Sequence, residues 1–187
     1  MSSITTLIFD YDGVFTIDEY RGARLLFPDE VVLEKMEAPY YTAASSTQLW
    51  SDLCTYFHLR KSNEECIMTY NYEDEEQKVY KQKMFAYTRA LAKRFSLILL
   101  SNQMRDRSCY LRAHEDFSFL KQVYFSDEIG LQKPDPAIFH FVLAEQKLSP
   151  GECLFVDDRK QNTDAAQALG MQIHTFVGVE DLKQVLG

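Results

Sequence analysis

Short runs of apolar, strand-forming residues recur along the chain, each ending in polar or turn residues: Thr6–Phe9, Leu97–Leu100, Gln122–Phe125, Leu154–Val156 and Ile173–Val177. Between most of these runs the apolar positions repeat at helical spacing. Asp135 followed by Pro136 reads as an N-cap and first-turn proline, after which Ile138, Phe139, Val142 and Leu143 form one apolar face. Ala165, Ala166 and Leu169 share a stripe on another helix, which Gly170 stops. Strands alternating with helices predict an α/β fold, a mostly parallel sheet covered on both faces.

One interval breaks the rhythm. About 80 residues separate the first and second strands, where a simple crossover needs about a dozen. The segment Thr16–Thr88 holds eight of the eleven tyrosines and the single tryptophan, Trp50, and its patterns are helical. The clearest is the stripe Tyr80, Met84, Tyr87, Leu91 and Phe95, preceded by the acidic stretch "YEDEEQ", which suits a helix N-terminus. Such a stripe reads as core. The expected organisation is a core of residues 1–15 and 89–187 with an inserted helical cap over 16–88.

Composition narrows the partners. The 187 residues carry a net charge of −8, which argues against a nucleic-acid or anionic-membrane binder, since both rely on excess Lys and Arg. No stretch approaches the roughly 20 apolar residues that span a bilayer, and the start "MSSITTLIFD" lacks a basic region and a cleavage site, so the chain reads as cytoplasmic. Cys54, Cys66, Cys109 and Cys153 form no C-x-x-C pair and read as free thiols.

Candidate chemistry gathers where apolar strands end. In "LIFDYDGVF", Asp10 and Asp12 follow the first strand and can project to the same side, while Gly13 permits a sharp exit. Carboxyl strand ends are where open α/β sheets bind ligands, and a hard cation such as Mg²⁺ relieves repulsion between paired acids. A second pair, Asp157 and Asp158, follows the strand in "LFVDDRKQN"; capping the next helix would account for one of them but not both. Ser101 and Asn102 end "LILLSN", where they can donate to a phosphate, and Lys133 in "GLQKPDPAIF" offers a compact positive charge.

Together these pieces resemble the haloacid dehalogenase superfamily of phosphohydrolases, whose four motifs occur in this order. Motif I, an apolar strand then D-x-D-G, corresponds to "LIFDYDGV", and motif II, a strand ending in Ser or Thr, to "LILLSN". Motif III, a lysine often followed by Pro, corresponds to "GLQKPDPAIF", and motif IV, a strand then two acids, to "LFVDDRKQN". The resemblance covers about Ile4–Phe15 and Arg94–Val177. The cap agrees in position and helical character with the family's C1 caps.

The resemblance implies a doubly wound, Rossmann-like core and a Mg²⁺-dependent phosphatase acting on a small phosphorylated metabolite through an aspartyl-phosphate. Asp10 would be the nucleophile, and Asp12 would protonate the leaving oxygen and then deprotonate the attacking water. Mg²⁺ would be held by the Asp10 carboxylate, the Asp12 backbone carbonyl and Asp158, with Asp157 behind them. Ser101, Asn102 and Lys133 would hold the phosphoryl oxygens, Lys133 also fixing Asp10. The family's dehalogenases lack an acid at the position of Asp12, so its presence favours phosphoryl transfer. A phosphomutase or phosphotransferase would share these motifs, and a non-catalytic phosphate-binding module would share the pocket. Arg21, Arg24, Trp50, His58, Arg60 and Lys61 could reach a substrate from the cap. His58, His114, His140 and His174 are scattered and show no catalytic pairing.

Overall fold

The computed structural model describes residues 3–17, 21–26 and 46–187. Its centre is a five-stranded sheet, with β1 at Thr6–Phe9, β2 at Ser96–Ser101, β3 at Gln122–Phe125, β4 at Cys153–Asp157 and β5 at Gln172–Thr175. Every pairing is parallel and the spatial order is β3-β2-β1-β4-β5. These are the five runs read from the sequence, with small shifts at their ends.

Parallel strands need crossovers, and the helices supply them. Among the described residues they are α1 (Arg21–Leu26), α2 (Ser46–Tyr56), α3 (Asn63–Tyr70), α4 (Glu75–Leu91), α5 (Arg105–His114), α6 (Ser126–Ile129), α7 (Pro136–Gln146), α8 (Lys160–Ala168) and α9 (Val179–Leu186). Asp135 caps α7 as expected, its carboxylate accepting from Ala137 N at 2.9 Å. Gly170, with φ +88°, follows the end of α8.

Because successive strand residues face opposite sides, each strand feeds two cores. On one side Leu7, Phe9, Leu97, Leu99, Leu154 and Val156 pack with Met84, Phe85 and Leu91 of α4, Leu111 of α5, and Leu182 and Leu186 of α9. On the other side Ile8, Ile98, Leu100 and Phe155 pack with Ile138, Phe139, Val142 and Leu143 of α7 and Ala166 of α8. The result is a three-layer sandwich with helices on both faces.

A third, smaller cluster unites Leu26, Leu49, Trp50, Leu53 and Cys66 from α1, α2 and α3 with Met104, the residue before α5. It also brings two sequence-distant thiols together, Cys54 Sγ and Cys66 Sγ lying 3.2 Å apart. Further ties run from this unit to the first turn of α5. Trp50 Nε1 donates to Asp106 Oδ2 at 3.1 Å, and Arg107 Nη1 donates to Asn71 Oδ1 at 2.6 Å.

The stripe from Tyr80 to Leu91 lies on α4, but it faces the sheet rather than the third cluster. The helix runs unbroken across the boundary expected between residues 88 and 89. Phe95 lies beyond its end and still packs against the same core.

Candidate active site

Strand register assembles the site. Phe9 pairs with Val156, so the residues that follow, Asp10 and Asp157, leave adjacent strands side by side, and Asp10 N donates to Val156 O at 2.9 Å. Strands β1 and β4 flank the point where the strand order reverses, the place where open α/β sheets bind ligands. Ser101 ends β2 on the other side of β1.

Past Asp10 the chain turns sharply. Phe15 N donates to Tyr11 O at 2.7 Å and Gly13 N to Thr16 Oγ1 at 2.9 Å. Gly13 takes φ +77°, and a Cβ on it would lie 2.3 Å from Asp158 Oδ2. Glycine is therefore required both by the backbone angle and by the close approach of a carboxylate. Tyr11 points into the core, stacked on Phe15 with ring centroids 5.7 Å apart, while its hydroxyl donates to Glu115 Oε1 at 3.1 Å.

Lys133 binds two acids. Its Nζ lies 2.8 Å from Asp10 Oδ1 and 2.7 Å from Asp157 Oδ2, and all three side chains are buried. Asn102 holds the lysine in place through a reciprocal pair, its Nδ2 donating to Lys133 O at 2.8 Å and its Oδ1 accepting from Lys133 N at 2.9 Å. Asn102 was expected to meet phosphate; these bonds give its side chain the further task of fixing Lys133, with one amide hydrogen remaining. Asp10 Oδ1 also accepts from Tyr11 N at 2.7 Å. No hydrogen bond to Asp10 Oδ2 is made among the described residues.

Asp10, Asp157 and Asp158 each offer an oxygen within 4.8 Å of the others. Ionised, these three carboxylates outnumber the one ammonium, Lys133, that contacts them among the described residues, and Arg159 adds a smaller attraction at Asp158. Burial accordingly raises the Asp10 carboxyl well above its ordinary range despite Lys133, with Asp157 and Asp158 adding repulsion. Burial and then the charge of Asp157 push Asp158 up to about 6. Asp157 is already engaged, accepting from Lys133, from Arg159 N at 2.9 Å and from Asn162 Nδ2 at 3.0 Å on both oxygens. Asp158 differs, because its buried Oδ1 has no hydrogen-bond partner among the described residues. A buried cluster with excess negative charge and an orphaned carboxylate oxygen fits a hard, oxygen-ligated divalent cation.

The Asp12 side chain stands outside that trio. Gln103 Nε2 donates to Asp12 Oδ2 at 2.6 Å and to Ser101 Oγ at 3.0 Å, and Arg107 Nη2 lies 3.5 Å from Asp12 Oδ1. The motifs did not single out Gln103, Arg107 or Asn162. Only Asn162 left a local signal, in the helical turn that follows the second acidic pair.

Of the cap candidates, Trp50 is fully buried in the third cluster, while Arg24, His58, Arg60 and Lys61 are exposed. The Arg21 side chain lies outside the described residues. His114 and His140 are exposed, and the ring of His174 faces Asp181 at 3.1 Å.

The sequence matches the family model for haloacid dehalogenase-like hydrolases over residues 4–170. The chain belongs to that family. Among curated proteins, a D-ribitol-5-phosphate phosphatase of Bacteroides thetaiotaomicron is 32% identical over 68 residues, 36% of this chain and 33% of that protein. A drimenol cyclase of Aspergillus calidoustus is 29% identical over 72 residues, 38% of this chain and 14% of that protein. The chain thus spans a minor part of the curated relatives it matches. Among solved structures, a haloacid dehalogenase family enzyme of Bacteroides thetaiotaomicron, in complex with magnesium and inorganic phosphate, gives a TM-score of 0.78 at 19% identity. That match covers 99% of this chain and 100% of that one. The doubly wound, Rossmann-like core implied by the four motifs is the fold observed.

Proposed function

We propose that this haloacid dehalogenase-like hydrolase is a Mg²⁺-dependent phosphatase that acts on a small phosphorylated metabolite. The observation that carries this reading is the arrangement of Asp10: Oδ1 is pinned by Lys133 and Tyr11 N, and Oδ2 carries no hydrogen bond among the described residues, in a cluster whose third acid, Asp158, has an unpartnered oxygen. Likeness to a D-ribitol-5-phosphate phosphatase, and to a fold neighbour holding magnesium and phosphate, supports it.

Asp10 Oδ2 attacks phosphorus, and the P–O bond to the leaving group breaks as the aspartyl-phosphate forms. Asp12 gives its proton to the departing oxygen, then takes one from the water that hydrolyses the acyl phosphate. Ser101 Oγ, Lys133 Nζ and the remaining amide hydrogen of Asn102 hold phosphoryl oxygens and stabilise their charge. Asp10, Asp158 and the Asp12 carbonyl would hold Mg²⁺, which when bound offsets the repulsion between carboxylates and phosphate. Asp157 stays behind them, orienting Lys133.

The helical unit of α1, α2 and α3 serves as the cap in this reading. It adjoins the first turn of α5, the helix whose Arg107 faces Asp12. The test is phosphate release from a panel of small phosphorylated metabolites with Mg²⁺ and, separately, with EDTA. Release from soluble esters only when Mg²⁺ is present supports the reading; equal release in EDTA, after elemental analysis confirms metal removal, contradicts it.

A further inference from the structure

Both oxygens of the Asp12 carboxylate are met from the stretch that follows β2. Oδ2 accepts from Gln103 Nε2 at 2.6 Å, and Oδ1 faces Arg107 Nη2 at 3.5 Å. Gln103 is only 3% exposed, so protein rather than solvent sets its orientation. Its backbone is clamped, with Gln103 N donating to Ser126 Oγ at 2.9 Å and Ser126 Oγ donating back to Gln103 O at 3.2 Å. The same Nε2 reaches Ser101 Oγ at 3.0 Å, and a primary amide nitrogen has the two hydrogens that both bonds need. One side chain therefore ties Asp12 to the last residue of β2.

An acid–base group works only if its oxygen keeps hydrogen-bond reach of the transferring proton, and displacement by about 1 Å costs on the order of 100-fold in rate. An unheld aspartate turns freely about its side-chain bonds. We propose that Gln103 is a positioning residue for Asp12, holding its carboxyl group towards the leaving oxygen of the substrate. The role rests on the reading of Asp12 as acid–base given above. Gln103 acts through Asp12, its second bond to Ser101 Oγ fixing the direction of the amide.

Gln103→Met keeps the length and bulk of the side chain but removes the donor. Two aryl esters of similar shape separate the proposed role from a general structural one. Phenyl phosphate releases a phenol about as acidic as a tyrosine side chain, pKa about 10, and needs the proton. 4-Nitrophenyl phosphate releases a stable anion and does not. The parameter kcat/KM reports steps only up to leaving-group departure, so the later water step does not enter. The expected result for Gln103→Met is a loss of about 30-fold or more in kcat/KM for phenyl phosphate and less than about threefold for the nitrophenyl ester, with KM little changed.

Asp12→Asn, measured alongside, shows the same divergence. If it does and Gln103→Met loses equally on both esters, or on neither, the assignment of Gln103 is overturned alone. An Asp12→Asn protein without the divergence overturns the acid–base reading and the Gln103 role with it. No turnover of either ester by the wild-type protein overturns the phosphatase reading itself.

Discussion

At position 13 the backbone takes φ +77°, and a Cβ would lie 2.3 Å from Asp158 Oδ2, so any side chain there meets both backbone strain and a carboxylate. Gly13→Ala is expected to lower stability by about 1–3 kcal/mol and to displace Asp158, with activity falling with it. Thermal unfolding and phosphate release measured on one preparation check this; an unchanged melting point contradicts it. Asp158 itself carries a pH signature. Its carboxyl is pushed up to about 6, from about 3.9 in the unfolded chain. In metal-free protein the folded state therefore keeps this proton where the unfolded chain has lost it. Its contribution to stability is full below about pH 4 and is lost as pH rises towards about 6. In urea titrations with EDTA, Asp158→Asn is expected to gain stability relative to wild type between about pH 4.5 and about pH 7. A constant difference between the two proteins would refute the shift. The acids and the lysine that the fold brings together were legible as candidates because each follows an apolar strand or stands in a compact motif. Gln103 and Arg107 were not, since an amide and a cation opening a helix look like solvated positions, and their partner Asp12 lies far away in sequence.

The element most revealing of what sequence patterns can and cannot carry is α4. Its apolar spacing and acidic start were plain, and the helix begins at Glu75 with Asp74 as N-cap, accepting from Gln77 N at 2.9 Å. Periodicity defines which face is apolar but not what that face meets, so a boundary at residue 88 assigns Tyr80, Met84 and Tyr87 to the cap and Leu91 and Phe95 to the core, although all five pack on the sheet. Phe85 stands at the centre of that packing, its ring 5.0 Å from Phe15, 6.1 Å from Phe117 and 5.8 Å from Phe119. Tyr80, one turn earlier, donates to Val14 O at 3.2 Å in the turn after β1. Phe85→Ala is expected to cost about 3–5 kcal/mol, read from the urea midpoint. A loss below about 1 kcal/mol would show that the aromatic cluster does not anchor the helix.

On the scale of the whole molecule, the proposed function assigns chemistry and selectivity to different parts. Every residue given a role at the phosphate lies in the core, while the third cluster draws on α1, α2 and α3 and meets the core through Met104. The proposed cap would exclude bulk water and admit only substrates that fit beneath it. Because α4 is part of the core, an excision that spares the fold must stop before Asp74. Replacing residues 18–72 with a short linker is expected to broaden preference across the metabolite panel while slow hydrolysis of 4-nitrophenyl phosphate persists. A folded capless protein with wild-type preference would place specificity in the core. No described helix is long and apolar enough to cross a membrane, and the net charge of −8 gives polyanions no general attraction. The central claim is that Asp10 carries the phosphoryl group, and it is tested most directly by comparing Mg²⁺-dependent phosphate release by wild type and Asp10→Asn, with circular dichroism confirming that both fold. An amide cannot serve as the anionic nucleophile, so release is predicted to fall by about a thousandfold or more. Activity within about tenfold of wild type would contradict the account.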